Sequence, residues 1–351
     1  MTTNANASAE DDWERAQAEL AKEGLSDGLP MVPPTAERVE RMLRYNGFDP
    51  DEVVATLAPM YDEATWRDIA TNAVMAGCRP EYLPVVGAAV AAVAVDQFNL
   101  LGIQTTTGNA ASLIIVNGPI IGEIGMNAGG NALGPGNRAN ATIGRALRLV
   151  LQNVGGAKPG EMDMATLGQP SKFTFCLAEN EAESPWPSLH AERGLAAGES
   201  SVTVLGTVGI SEVVDSVSNK VEDLIRTYAH SMLAAGHVHA SGLIGSGEPL
   251  LIIPPEHAVF FNGAGYTKDK LKSALFEEAT LPLDRLSSAM RQRIAANRTE
   301  DGTDPAAPVR IAGKAADIMI VVAGGAGVKT AYVPTWGGSH SVTQVIRRRV
   351  V

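Results

Sequence analysis

Apolar and polar positions divide the chain into a helical opening and a longer stretch where short apolar runs alternate with helical periodicity. Met1–Glu10 is small and polar and reads as a disordered tail, and Asp11–Glu23 has helical composition ending at Gly24. Ser26–Pro34 reads as a turn into an extended proline-rich stretch. Thr35–Asn46 predicts an amphipathic helix, with Val39, Met42 and Leu43 on one side and Gly47 as its stop. Asp49-Pro50-Asp51-Glu52 predicts another helix start, with Asp49 at the cap, Pro50 at the first helical position and Glu52 three residues after the cap. Asp62–Ala76 spaces Trp66, Ile69, Ala73 and Val74 helically and ends at Gly77. Glu81–Val95 is a near-continuous Ala/Val run suited to a buried helix, with Cys78-Arg79-Pro80 at the kink before it.

From Leu113 onward the pattern changes. Leu113–Val116, Phe173–Ala178, Val202–Leu205, Leu250–Ile253 and Ile318–Val322 are short apolar runs of strand type. Between them, Ala139–Asn153, Asn219–Ala235, Lys268–Ala279 and Arg285–Ala296 have helical character. Such alternation predicts an α/β fold of mainly parallel sheets with crossover helices, preceded by the helical N-terminal segment. Leu113–Val116 runs into Asn117-Gly118-Pro119 and Leu250–Ile253 into Pro254-Pro255-Glu256-His257, which suggests two pseudo-symmetric halves. The expected organisation is a mainly helical segment over residues 1–105, a first α/β half over 106–205 and a second over 206–351.

Composition narrows the class. Hydrophobic residues at 45% and charged residues at 19% of 351 are those of a globular enzyme rather than a disordered chain. A net charge of −11 argues against nucleic acid or an anionic membrane surface as partner, since both need a concentrated basic face. The N-terminus lacks a basic region followed by an apolar one, and the apolar runs around Val85–Val95 and Leu113–Val116 are too short or broken to span a bilayer. The expected location is cytoplasmic, and the expected state a homo-oligomer. Cys78 and Cys176 are too few for a disulfide framework, so each is a core residue or a reactive thiol.

The candidate chemistry centres on Asn117–Arg148, where a strand passes through a Gly/Asn-rich loop into a helix. Backbone N–H groups there could hold a substrate carboxylate or oxyanion, with Asn127, Gly129, Gly130, Asn131, Asn137 and Arg138 as binding residues. A tightly packed loop whose glycines only permit close approach is the bland alternative. Gly134–Ala139 matches a dinucleotide fingerprint on paper but starts too far beyond its strand.

Cys78 sits near a helix N-terminus with Arg79 beside it, and both features favour a thiolate; a small buried residue at a kink is the competing account. The strand carrying Cys176 runs into Glu179 and Asn180, which a strand end would deliver near the core, with Glu179 suited to moving protons. His237 and His239 alternate in a glycine-bounded stretch and would share one face if extended, which leaves room for a divalent metal where no cofactor is otherwise expected.

The segments DGLPMVPPT (Asp27–Thr35), MAGCRPEYLPVV (Met75–Val86), the Gly/Asn loop, GQPSKFTFCLAENE (Gly168–Glu181) and EPLLIIPPEHA (Glu248–Ala258) together carry a resemblance over most of the chain. They resemble a largely uncharacterised bacterial family related to UGSC-type (seleno)proteins. The resemblance implies an α/β enzyme acting on a small molecule, with thiol chemistry. This chain departs from the signature, having Ala76-Gly77 before Cys78 rather than Gly-Ser, and Gly209-Ile-Ser211-Glu212 where relatives carry His and Asn.

The leading expectation is therefore a lyase or thiol-dependent enzyme that breaks or rearranges a carbon–heteroatom bond, carbon–sulfur among the options, in a small carboxylated substrate. Cys78 would be its thiol and Glu179 and Asn180 its other catalytic residues. A metal-dependent hydrolase or lyase on His237 and His239, and a non-catalytic subunit of an enzyme complex, are the alternatives.

Overall fold

The computed structural model describes residues 3–233, 247–300 and 304–347. The chain opens with α1 (Thr3–Lys22) and α2 (Ala36–Asn46), then a hairpin of β1 (Val53–Leu57) and β2 (Asp62–Thr65), then α3 (Trp66–Ala76), α4 (Leu83–Val93) and α5 (Leu100–Thr105). There follow β3 (Ala111–Asn117), the single turn α6 (Ile120–Glu123), α7 (Arg138–Asn153), β4 (Cys176–Ala178), α8 (Leu189–Glu192), β5 (Ser201–Thr207) and β6 (Ser211–Val214). The remainder comprises α9 (Val221–Ser231), β7 (Leu250–Ile253), α10 (Pro255–Gly263), α11 (Lys268–Glu278), β8 (Thr280–Leu281), α12 (Ser288–Glu300), β9 (Val309–Arg310), β10 (Met319–Val322), β11 (Lys329–Val333) and β12 (Val342–Val345).

Two four-stranded sheets form the centre, ordered β12-β5-β3-β4 and β10-β7-β11-β6. Alternating side chains on their strands go to different cores, as period-two geometry requires. Ile114 and Val116 of β3 face a core built with α3, α4 and α7, whereas Leu113 and Ile115 face Leu250, Ile252, Met319 and Val321 of the other sheet. Leu251, Ile253, Ile320 and Val322 point the other way, into a core shared with Leu224, Tyr228, Leu271 and Leu275 of α9 and α11. The layers thus run helix, sheet, sheet, helix. Both faces of each sheet are covered, which is why β3, β7 and β10 read as unbroken apolar runs.

The fold is α/β, as the alternation implied, but its sheets are mixed. β3 and β4 are parallel, as are β7 and β10, while β5 runs antiparallel to β3, β11 to β7, β12 to β5 and β6 to β11. The antiparallel partners β6, β11 and β12 lack an isolated apolar run, and β6 and β12 are edge strands with exposed positions, so hydrophobicity does not announce them. β6 follows β5 directly in sequence yet joins the other sheet, and β12 follows β11 yet returns to the first. At the crossing, Val208 N–H donates to Pro334 O and Trp336 N–H to Gly206 O. The expected boundary between residues 205 and 206 falls inside β5.

The N-terminal segment also departs from expectation. Asp49–Asp51 forms a turn that leads into β1 rather than a helix; the Asp49 carboxylate accepts from Asp51 N–H, satisfying the donor that a helix cap would have served. Residues 62–65 pair with β1, and the helix begins at Trp66, where Thr65 and Asp68 close a reciprocal cap. α1 begins at Thr3, within the stretch read as a disordered tail. Among the described residues no single helix is long and apolar enough to cross a membrane.

Candidate functional site

The carboxyl ends of the two parallel pairs meet. Asn180 N–H, just past β4, donates to Val322 O at the end of β10 at 2.7 Å, and Gly324 N–H donates to Ala128 O in the Gly/Asn loop at 2.8 Å. A Cβ on Gly325 would lie 2.8 Å from Gly130 Cα, so these two glycines permit a backbone approach that no larger residue allows.

Around this junction the Gly/Asn loop is held by its own side chains. Asn127 Nδ2 donates to Gly130 O, and its Oδ1 accepts from Gly129 N–H. Asn131, in the left-handed region at φ 61°, donates to Pro135 O. Asn137 caps α7 by accepting from Asn140 N–H and donates to Gly125 O, while Asn140 donates to Asn127 O and Ala132 O. Arg138 Nε donates to Gly77 O. The asparagines expected to bind a ligand are spent on shaping the loop, so their contribution to a bound anion is confined to backbone N–H groups and the rest of the Arg138 guanidinium.

Cys78 packs beside the first turns of α7, its Sγ donating to Thr142 O at 3.3 Å. Burial pushes its pKa up to about 12, outweighing the Thr142 contact and the nearby charges of Arg138 and Arg145. Desolvation thus disfavours the expected thiolate more than the arginines favour it. Cys176 is likewise buried and its pKa raised by burial.

Glu179 lies where the strand end was expected to deliver it, and it is 1% exposed. Its Oε2 accepts from Asn117 Nδ2 at 2.7 Å and from Leu189 N–H at 2.7 Å, and its Oε1 faces Lys268 Nζ at 3.4 Å. Lys268 and Lys272 also grip Glu192, each at 2.6 Å. Burial raises the Glu179 pKa, opposed by Lys268, Leu189 N–H and Asn117. Glu181 accepts from Gly118 N–H and Asn117 and lies 3.5 Å from His190 Nδ1, which also meets Ser188 Oγ at 2.9 Å. Two atoms in this cluster, Asn117 Oδ1 and His190 Nε2, are buried without a hydrogen-bond partner among the described residues. Buried polar atoms are seldom left so, and a bound water or ligand is what commonly satisfies them. Asn180, by contrast, turns to Glu183, donating from Nδ2 at 2.5 Å.

At the end of β7 a neutral cluster occupies the corresponding place. Tyr228 Oη lies 2.5 Å from both His257 Nδ1 and Thr330 Oγ1, and burial lowers the His257 pKa. Glu256 accepts from Gly327 N–H at 3.0 Å.

His237 and His239 lie outside the described residues, and among those described no group of three or more His, Cys, Asp or Glu is arranged to hold a metal ion. Sequence reasoning missed His190, Glu192, Lys268 and Lys272. His190 and Glu192 follow the acidic Glu179–Glu183 stretch closely enough to have been grouped with it, but Lys268 opens an ordinary amphipathic helix and reaches the site only through tertiary packing. No protein-family model, curated protein or solved structure matches the chain.

Proposed function

We propose that the chain is a cytoplasmic small-molecule lyase that works by acid–base chemistry at the carboxyl ends of β3 and β4, breaking a carbon–heteroatom bond in a small carboxylated substrate. The observation that carries this reading is Glu179, buried with a raised pKa beside Asn117 Oδ1 and His190 Nε2, which have no hydrogen-bond partner among the described residues. A buried carboxylate with a perturbed pKa at a strand end is a mark of proton-transfer chemistry in α/β folds.

In this reading Glu179 takes a proton from the carbon next to the substrate carboxyl group, and Lys268 stabilises its ionised form. The electron pair forms a carbon–carbon double bond as the bond to the heteroatom on the next carbon breaks, and His190, which lies beside Glu181, gives a proton from Nε2 to the leaving group. Asn117 Oδ1 accepts a hydrogen bond from the substrate. The loop N–H groups and Arg138 hold the carboxylate. Glu179 and His190 are each 1% exposed, so substrate reaches them when a covering segment moves. Cys78 has no part in these steps. A relation to the UGSC-type proteins fits such an enzyme and belongs to the same proposal.

The test is exchange of the carbon-bound proton in D2O, followed by NMR over a pool of short 3-hydroxy, 3-amino and 3-thioether carboxylic acids, whose leaving group sits one carbon beyond the acidic C–H. Wild type should wash deuterium into at least one member, and Glu179→Gln should slow this by about 10²–10⁴-fold. A Glu179→Gln protein exchanging at the wild-type rate refutes the assignment, whereas Cys78→Ser should retain activity.

A further inference from the structure

The other end of β3 borders a second polar locus. A cavity of about 590 Å³ opens there, within the roughly 300–1,000 Å³ range of small-molecule sites, and Asp27, Arg148, Asp163, Leu167, Lys172 and Phe173 are among its walls. Asp163 receives Arg148 at 2.7 Å and Lys172 at 2.6 Å, and Arg145 clasps Asp27 through two bonds of 2.7 and 2.8 Å. Arg145, Arg148 and Lys172 thus face Asp27 and Asp163, leaving one positive charge uncompensated. Burial lowers the pKa of both Arg148 and Lys172, a cost that a bound anion would offset.

Two further features point the same way. A small recess walled by Gln104, Ser112, Arg148 and Lys172 adjoins the cavity, and Ser112 Oγ is buried there without a hydrogen-bond partner among the described residues. The mouth is apolar: Leu167 is 89% exposed and Phe173 44% exposed, and both line the cavity. Exposed large apolar side chains around a polar floor are the form of a ligand site rather than of ordinary surface.

We infer that this cavity binds a small amphiphilic monocarboxylate, its headgroup against Lys172 and Arg148 and its tail against Leu167 and Phe173. The single uncompensated charge matches one carboxylate better than a doubly charged phosphate. Most of the Arg148 fork is already engaged, by Gln104, Ala157 and Asp163, whereas Lys172 Nζ keeps one N–H beyond its two bonds to the Asp163 carboxylate and is the main electrostatic contact. The site is separate from Glu179: Ser112 lies near the start of β3, while β4 leads into Glu179 from its pairing with Val116 near the strand's end.

Calorimetric titration of the full chain with octanoate tests this, with butyrate, octanol and inorganic phosphate as comparisons. Octanoate should bind saturably, and each comparison ligand should bind about tenfold or more weakly because it lacks either the tail or the single charge. Lys172→Met should weaken octanoate by about tenfold or more. Leu167→Ser, at a position too exposed to affect folding, should weaken it by about threefold. Glu179→Gln should bind as wild type does, which keeps the outcome independent of the proposed lyase chemistry. Absence of saturable octanoate binding, octanol or phosphate binding as tightly, indifference to both cavity variants, or loss in Glu179→Gln would each overturn the inference.

Discussion

The carboxyl ends of β3 and β7 occupy matching positions in two sheets, each beside a parallel partner, yet they are filled by opposite chemistry. Beyond β3 stand Glu179, Lys268, Lys272 and Glu192, an ionic network buried at Glu179 and the two lysines and open to solvent at Glu192, reaching across to α11. Beyond β7 stand Tyr228, His257 and Thr330, which meet through hydrogen bonds between neutral groups. A buried ionic network is costly to desolvate and is weak evidence for stability, whereas a neutral hydrogen-bonded group costs far less to bury. The difference is what the proposed proton transfer at the first sheet builds on.

The largest effect that would sharpen this contrast is expected from Lys268→Met. Removing the cation leaves Glu179 buried against its Asn117 and Leu189 contacts alone, and should cost about 3–5 kcal/mol in urea unfolding. Adding Glu179→Gln should recover part of that loss; a double variant no more stable than the single one would mean that the pair is not coupled. Next in size is Gly325→Ala, where the new Cβ meets Gly130 backbone and should cost about 1–3 kcal/mol. Gly129→Ala, whose Cβ would lie 3.6 Å from Asn127 Oδ1, should stay within about 0.5 kcal/mol, and equal losses at the two glycines would deny the close approach of the two loops.

The smallest effect concerns acid. Burial lowers the His257 pKa from 6.5, so the unfolded chain binds the proton more readily than the folded one. The stability from this group is complete above pH 6.5 and is lost as pH falls through the folded value. Unfolding midpoints of His257→Gln should therefore fall less steeply with acidification than those of wild type. Parallel curves would remove His257 from the acid response.

Elements packed on both faces are legible from sequence, because a continuous apolar run seldom arises except where both sides of an element are covered. Leu250–Ile253 is delimited by its hydrophobicity as it stands, and the helix over Ala139–Asn153 to within one residue. β6 and β12 are not, because half-exposed edge strands carry little periodic signal, and with them goes the antiparallel character of the sheets. Asp49–Glu52 misleads because the same residues that cap helices also form turns. In the site, Glu179 follows from its place after a strand, whereas the fate of Cys78 turns on burial, which the neighbouring Arg79 does not reveal. Lys268 is invisible, since nothing local distinguishes a lysine that enters the core from one that points to water.

The exchange of β6 and β12 between sheets has a kinetic consequence. β5 is made long before β12, and Val204 must wait for Val342 to complete its side of the ladder. The first sheet therefore keeps an unpaired edge until residues 342–345 have been synthesised, and its closure joins parts of the chain far apart in sequence. Contacts of such separation slow folding, and the waiting edge is the place where a chaperone or a stray strand would bind a nascent molecule.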